Sequence, residues 1–112
     1  MAIPSDFAQA TPSVLSALNT AINLSALADA DVSGANTFSV FRARVASNLD
    51  NVRGVEAKAA GPAILRGLTL GFNAGILTDA RLNGLTTTAA VLALCTFERQ
   101  DLASSYNKFL PQ

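Results

Sequence analysis

Two parallel rows of residues, each spaced by four, run through residues 63–76. Ala63, Gly67, Gly71 and Gly75 form one row, and Ile64, Leu68, Phe72 and Ile76 form the other. A spacing of four keeps a row on one face of an α-helix. The stretch therefore reads as a helix carrying a stripe of small residues beside a stripe of large ones. Each interior glycine costs about 1 kcal/mol relative to alanine. Close approach of a second helix backbone, as in small-xxx-small packing, offsets that cost. The same geometry serves a contact inside the domain or one between subunits. A Gly71→Leu substitution is expected to disrupt whichever contact the stripe makes. The glycines match neither the G-x-G-x-x-G nor the G-x-x-x-x-G-K-[ST] pattern, so they do not form a nucleotide loop.

The rest of the chain carries helical periodicity as well. Thr11-Pro12 reads as a helix start, with Thr as cap and Pro at the first position, and Val14, Leu15, Leu18 and Ile22 follow at helical spacing. Ala28–Asp31 reads as the end of that helix, and Ser33–Asn36 as a turn. Asn36 or Thr37 caps the next helix, whose seam is Phe38, Phe41, Val45, Leu49 and Val52. Gly54 suits a helix C-terminus. Val55–Ala60 reads as a short extra turn, before Gly61-Pro62 starts a new helix. Thr78–Gly84 reads as a helix end or a loop; a hairpin about Asn83-Gly84 is the minority reading. Thr86 or Thr87 caps a last helix, apolar nearly all round over 89–97 and continued by Leu102, Tyr106 and Phe109. No internal repeat is legible. The expected fold is all-α: a small bundle of three to five helices in a single domain over 1–112. The 86–109 helix is central, and residues 1–10 form an arm or a short helical turn.

Composition narrows the chemistry. The chain has no histidine or tryptophan, one cysteine, and eight Lys or Arg against eight Asp or Glu in 112 residues. Most general-base, nucleophile–base and metal sites need His, paired Cys or clustered carboxylates. Asp29-Ala30-Asp31 lacks the further oxygen ligands of a Ca²⁺ loop. Glu98 and Asp101 share a helix face with Leu102 and have no His, Lys or further carboxylate nearby in sequence. No catalytic residue, cofactor or metal is expected. Cys95 has no partner within the chain and reads as a small buried hydrophobe in a reducing compartment. Residues 1–6 lack the charge and apolar run of a signal peptide, and the longest wholly apolar stretch, Ala89–Cys95, is short of a membrane span.

Charge is low and unevenly placed. Charged residues make up 14% of the chain, against about 25% in an ordinary domain. Residues 1–41 hold Asp6, Asp29 and Asp31 and no Lys or Arg, whereas 42–66 hold Arg42, Arg44, Arg53, Lys58 and Arg66 against Asp50 and Glu56. A weakly charged, half-apolar chain is expected to cover its surface with copies of itself. The leading expectation is thus a non-catalytic structural subunit that forms a homo-oligomer and contacts other structural proteins of one assembly. In composition alone, rich in Ala, Ser, Thr and Asn and weakly charged, it resembles small head- or tail-associated proteins of bacteriophages. That resemblance implies a virion component assembled in the cytoplasm. The contact residues expected are Gly67, Gly71, Gly75, Phe38, Phe41, Arg42, Arg44, Tyr106 and Phe109. The runner-up is a helical adaptor that binds a protein partner or DNA through the basic 42–66 face. A membrane-associated helical oligomer comes third: the mean hydropathy of +0.34 favours it, while Arg66 and Asn73 oppose it.

Overall fold

The structure is a computed structural model and describes residues 5–96. Its elements are α1 (Ser5–Asn23), α2 (Asp29–Val32), α3 (Phe38–Asp50), α4 (Val55–Asn73), α5 (Asp79–Leu82) and α6 (Thr88–Ala93). The described residues are all-α. Two of the six helices are single turns, at the places read from sequence as a helix end and a loop. Residues 97–109 of the expected last helix, with Tyr106 and Phe109, lie outside the described residues.

The element order reveals a tandem duplication, which corrects the reading that the chain has no repeat. Adding 50 to the bounds of α1 and α2 gives those of α4 and α5, and Phe38 at the start of α3 maps onto Thr88 at the start of α6. Identical residues recur at that offset: Ala10/Ala60, Pro12/Pro62, Leu15/Leu65, Leu18/Leu68, Asn23/Asn73, Leu27/Leu77, Asp29/Asp79, Ala30/Ala80, Gly34/Gly84, Thr37/Thr87 and Ala43/Ala93. Burial repeats too: Val14/Ile64, Leu18/Leu68, Ala26/Ile76, Leu27/Leu77, Val32/Leu82, Phe41/Val91 and Val45/Cys95 are all buried pairs.

The repeats face each other across a pseudo-two-fold axis. The Asp79 carboxylate accepts from the Phe38 N–H at 2.7 Å, and its counterpart Asp29 accepts from the Thr88 N–H at 2.8 Å. Each aspartate thus binds the first N–H of a helix in the other repeat, where a helix end favours negative charge. Within its own repeat each of those helices has a threonine cap, Thr37 on Val40 N–H and Thr87 on Ala90 N–H. The most extensive contact between elements is α1 against α4, so the core lies between the repeats.

Two expected helix starts are corrected. Pro12 and Pro62 lie inside α1 and α4. A proline inside a helix loses one hydrogen bond and costs about 3 kcal/mol. Burial of Phe7 and Ala10 on the face that continues through Val14, Ala17 and Leu18 holds α1 together across it. Residues 5–10, expected as an arm or a short helical turn, are therefore the first turns of a core helix, and Val55–Ala60 opens α4. Asn83-Gly84 connects α5 to α6, with Gly84 at φ +84°, and is not a hairpin turn.

Candidate interaction site

The glycine stripe divides into two parts. Gly67 is buried where α1 crosses α4, and its pseudo-symmetric counterpart is Ala17. A Cβ on Gly67 would lie 2.6 Å from the Ala17 Cβ and 3.2 Å from the Ser13 carbonyl oxygen. The two helices thus cross at equivalent positions on the pseudo-axis, where only one side can carry a methyl group. One turn on, a Cβ on Gly71 would lie 3.0 Å from both Leu77 Cδ1 and Val14 Cγ2. Both glycines therefore pack inside the chain. Gly75 belongs to a different device. It has φ +83° and no atom within 4 Å of where a Cβ would sit. Its N–H bonds Phe72 O while Ile76 N–H bonds Gly71 O, the paired bonds of a Schellman C-terminus.

The expected aromatic contacts are also internal. Phe41 is fully buried. Phe38 is buried and stacks on Phe72, with ring centroids 4.7 Å apart. Arg44 turns away from the rest of the basic stretch and donates from Nη1 to the carbonyl oxygens of Asp31 at 3.1 Å and Ser33 at 2.8 Å. The basic 42–66 stretch is therefore not one face: Arg44 fastens α2 to α3, and Arg53 lies beside Glu56 on a different surface hollow.

Arg42, Lys58 and Arg66 do converge. They line a groove of about 830 Å³ between α3 and α4, together with Leu49, Asp50, Leu65 and Leu70. Arg42 is half-buried, and its Nε donates to Thr69 Oγ1 at 3.3 Å, while that hydroxyl donates to Leu65 O at 3.0 Å. The threonine thereby holds the guanidinium at the wall. Lys58, Arg66 and Asp50 are exposed at the rim. Gly61 is buried beneath, 3.9 Å from Leu49 Cδ1 at its would-be Cβ, so α3 sits close against α4 at the floor. Sequence reasoning placed Arg42, Lys58 and Arg66 on a basic 42–66 binding face, but did not single out Leu65 or Thr69 as part of it. The signal was present, since 58, 62, 65, 66, 69 and 73 share a helix face at spacings of three and four.

No protein-family model, curated protein or solved structure matches this chain. Its site must be read from its own geometry. Among the described residues no three His, Cys, Asp or Glu side chains are grouped as metal ligands. No described helix is long and apolar enough to cross a membrane. Asp29 and Asp31, the alternate carboxylate pair, are engaged by backbone: Asp29 on Thr88 N–H, and Asp31 on Ala28 N–H at 2.9 Å. Burial pushes the Cys95 thiol from 9.0 up to about 11, against the opposing pull of the Arg81 cation. That holds it in the protonated, unreactive form at neutral pH.

Proposed function

We propose that the protein is a non-catalytic interaction module whose α3–α4 groove seats an acidic, amphipathic segment of a protein partner. The observation that carries this reading is the groove itself, with an apolar floor of Leu49, Leu65 and Leu70 under three cations and one carboxylate. Leucines on an incoming helix would cover the floor, and its carboxylates would meet Arg42, Lys58 and Arg66. A DNA backbone fits less well, because its phosphates gain nothing from an apolar floor and would meet Asp50. The other candidate occupant is a second copy, whose exposed Asp6 offers the required charge. That occupancy would make the module a self-assembling structural subunit.

The probe is a helical peptide of Leu and Glu heptads, with its Lys-for-Glu counterpart as control. The acidic peptide is expected to bind, and Lys58→Glu/Arg66→Glu to weaken it at least tenfold without loss of helix content. Light scattering across a concentration series tests the second copy, because the same double variant should abolish any association. Equal binding of both peptides, or indifference to the double variant, overturns the groove as the site.

A further inference from the structure

We infer that the two repeats can also recognise each other between molecules: the intact chain closes on itself, and a chain whose link cannot reverse direction exchanges second repeats with a second copy and closes into a two-lobed dimer. Each lobe would consist of α1–α3 from one copy packed on α4–α6 of the other.

The inference starts from where the contacts lie. α1 on α4, α3 on α4, α1 on α6 and α2 on α6 are all contacts between repeats, and α2 on α3 is the principal one within a repeat. The reciprocal caps of Phe38 by Asp79 and of Thr88 by Asp29 also run between repeats. A repeat by itself therefore leaves Val14, Leu18 and Ala21, or Ile64, Leu68 and Gly71, without cover. The surface that fits them is the other repeat, and a second copy carries the same surface. Exchange preserves every contact across the pseudo-axis and alters only the link between repeats.

That link is short: Val52 packs against the core, while Asn51, Arg53 and Gly54 are exposed. Residues 51–54 join the end of α3 to the start of α4. Asn51 and Val52 N–H groups bond back to Asn48 and Leu49 carbonyls. Gly54 holds φ +98°, a conformation that favours glycine, with no atom within 4 Å of a would-be Cβ. Val55, the next residue, is 87% exposed, the most exposed large apolar side chain among the described residues.

Concentration sets the balance. A short flexible link gives the attached repeat an effective concentration in the millimolar range, so the single chain closes on itself at micromolar concentration. A link too short to reverse direction removes that advantage and leaves exchange as the way to bury the core. The inference does not depend on the groove's ligand, since α3 of one copy on α4 of the other rebuilds the same groove.

Deletion of Val52 and Arg53 from the full chain tests it. At ten micromolar, light scattering should give twice the single-chain mass with wild-type helix content, while the wild type runs as one chain. A deletion variant of single-chain mass with native helix content overturns the inference. If the deletion variant loses its helices, complementation decides. Ala17→Glu and Gly67→Glu each place a charge at the crossing, and a one-to-one mixture can build one lobe with both native residues. Recovery of about half the wild-type helical signal upholds exchange; a spectrum equal to the sum of the separate variants overturns it.

Discussion

At the start of α2 the Asp31 carboxylate reaches back to the Ala28 N–H, and at the equivalent place before α5 the Thr78 hydroxyl reaches forward to the Arg81 N–H at 3.3 Å. These are the two halves of one capping box, and each repeat has kept a different half. The arginines divide in the same way. In the first repeat Arg44 of α3 holds the end of α2. In the second repeat Arg81 of α5 donates to Leu94 O at 3.0 Å and Gly75 O at 3.2 Å, and its guanidinium lies 5.3 Å from the Phe7 ring centroid in α1. The same short helix is thus fastened from opposite sides. What both repeats retain is the packing at the pseudo-axis, the buried apolar pairs and the crossed aspartate caps. What they have let diverge is surface: Arg42, Lys58 and Arg66 of the groove correspond to Leu92, Ala8 and Ser16. A duplicated scaffold constrains positions that meet across the axis, because each is packed against the other repeat, and leaves the outward positions open to acquire a charge.

The largest effect is expected where the repeats touch. Gly67→Ala forces a methyl against Ala17 and the Ser13 carbonyl, and should destabilise the chain by about 1–3 kcal/mol in urea unfolding, despite the better helix propensity of alanine. Adding Ala17→Gly moves the methyl to the other side of the axis and should recover most of the loss. A double variant no more stable than Gly67→Ala would show that the two positions are not equivalent.

The crossed caps should differ in degree. Asp79→Ala leaves the N–H of buried Phe38 without its acceptor and is expected to cost about 1–2 kcal/mol. Asp29→Ala affects a more exposed helix start and should cost about 0.5–1 kcal/mol. Equal losses would remove the distinction between a buried and an exposed cap.

A smaller gain is expected at the end of α1. Ser25 holds φ +61° where the second repeat has Gly75 at φ +83°. Ser25→Gly relieves the left-handed conformation and should stabilise by up to about 1 kcal/mol, which raises Tm by about 4–8 °C. The reciprocal Gly75→Ser should lower it.

The smallest effect concerns the buried pair Val45/Cys95. The Cys95 thiol is raised from 9.0 to about 11 by burial, so the folded chain holds its proton more tightly than the unfolded one. Its contribution is complete below about pH 9 and is lost as pH rises toward 11. Cys95→Val, which copies the first repeat, should change neutral stability by less than about 0.5 kcal/mol and flatten the stability profile over that window.

Much of this architecture is legible in the order of the residues. The helical periods of 38–49 and 63–73, caps at Asn36 or Thr37 and at Thr86 or Thr87 (Thr37 and Thr87 in the structure), and the turn at Gly84 follow from rules that act over four or five residues. The stripe's continuation to Gly75 and Ile76 does not, since α4 ends at Asn73. The local rule failed at Pro12 and Pro62. A proline suits a first helical turn, but burial of Phe7 and Ala10 outweighs the missing bond. The repeat itself had a signature, P-x₂-L-x₂-L-x₄-N-x₃-L-x-D-A-x₃-G-x₂-T, present from both Pro12 and Pro62. Its fixed positions are spread thinly from 12 to 37, four of the nine are Leu or Ala, and Leu and Ala coincide readily in any helical sequence, so the repeat leaves no compact local pattern.

Residue order alone decides that this chain is helical, where most helices begin, and that residues 63–71 need a close neighbour. Those properties arise from hydrogen bonds and side-chain spacing within a few residues of one another. Which neighbour satisfies Gly67, that Asp79 caps a helix more than forty residues upstream, and that Lys58 and Arg66 share a groove with Arg42, are decided only by the meeting of the two repeats. Contacts across the pseudo-axis depend on the relative placement of whole helices, and that placement is a balance over the entire core.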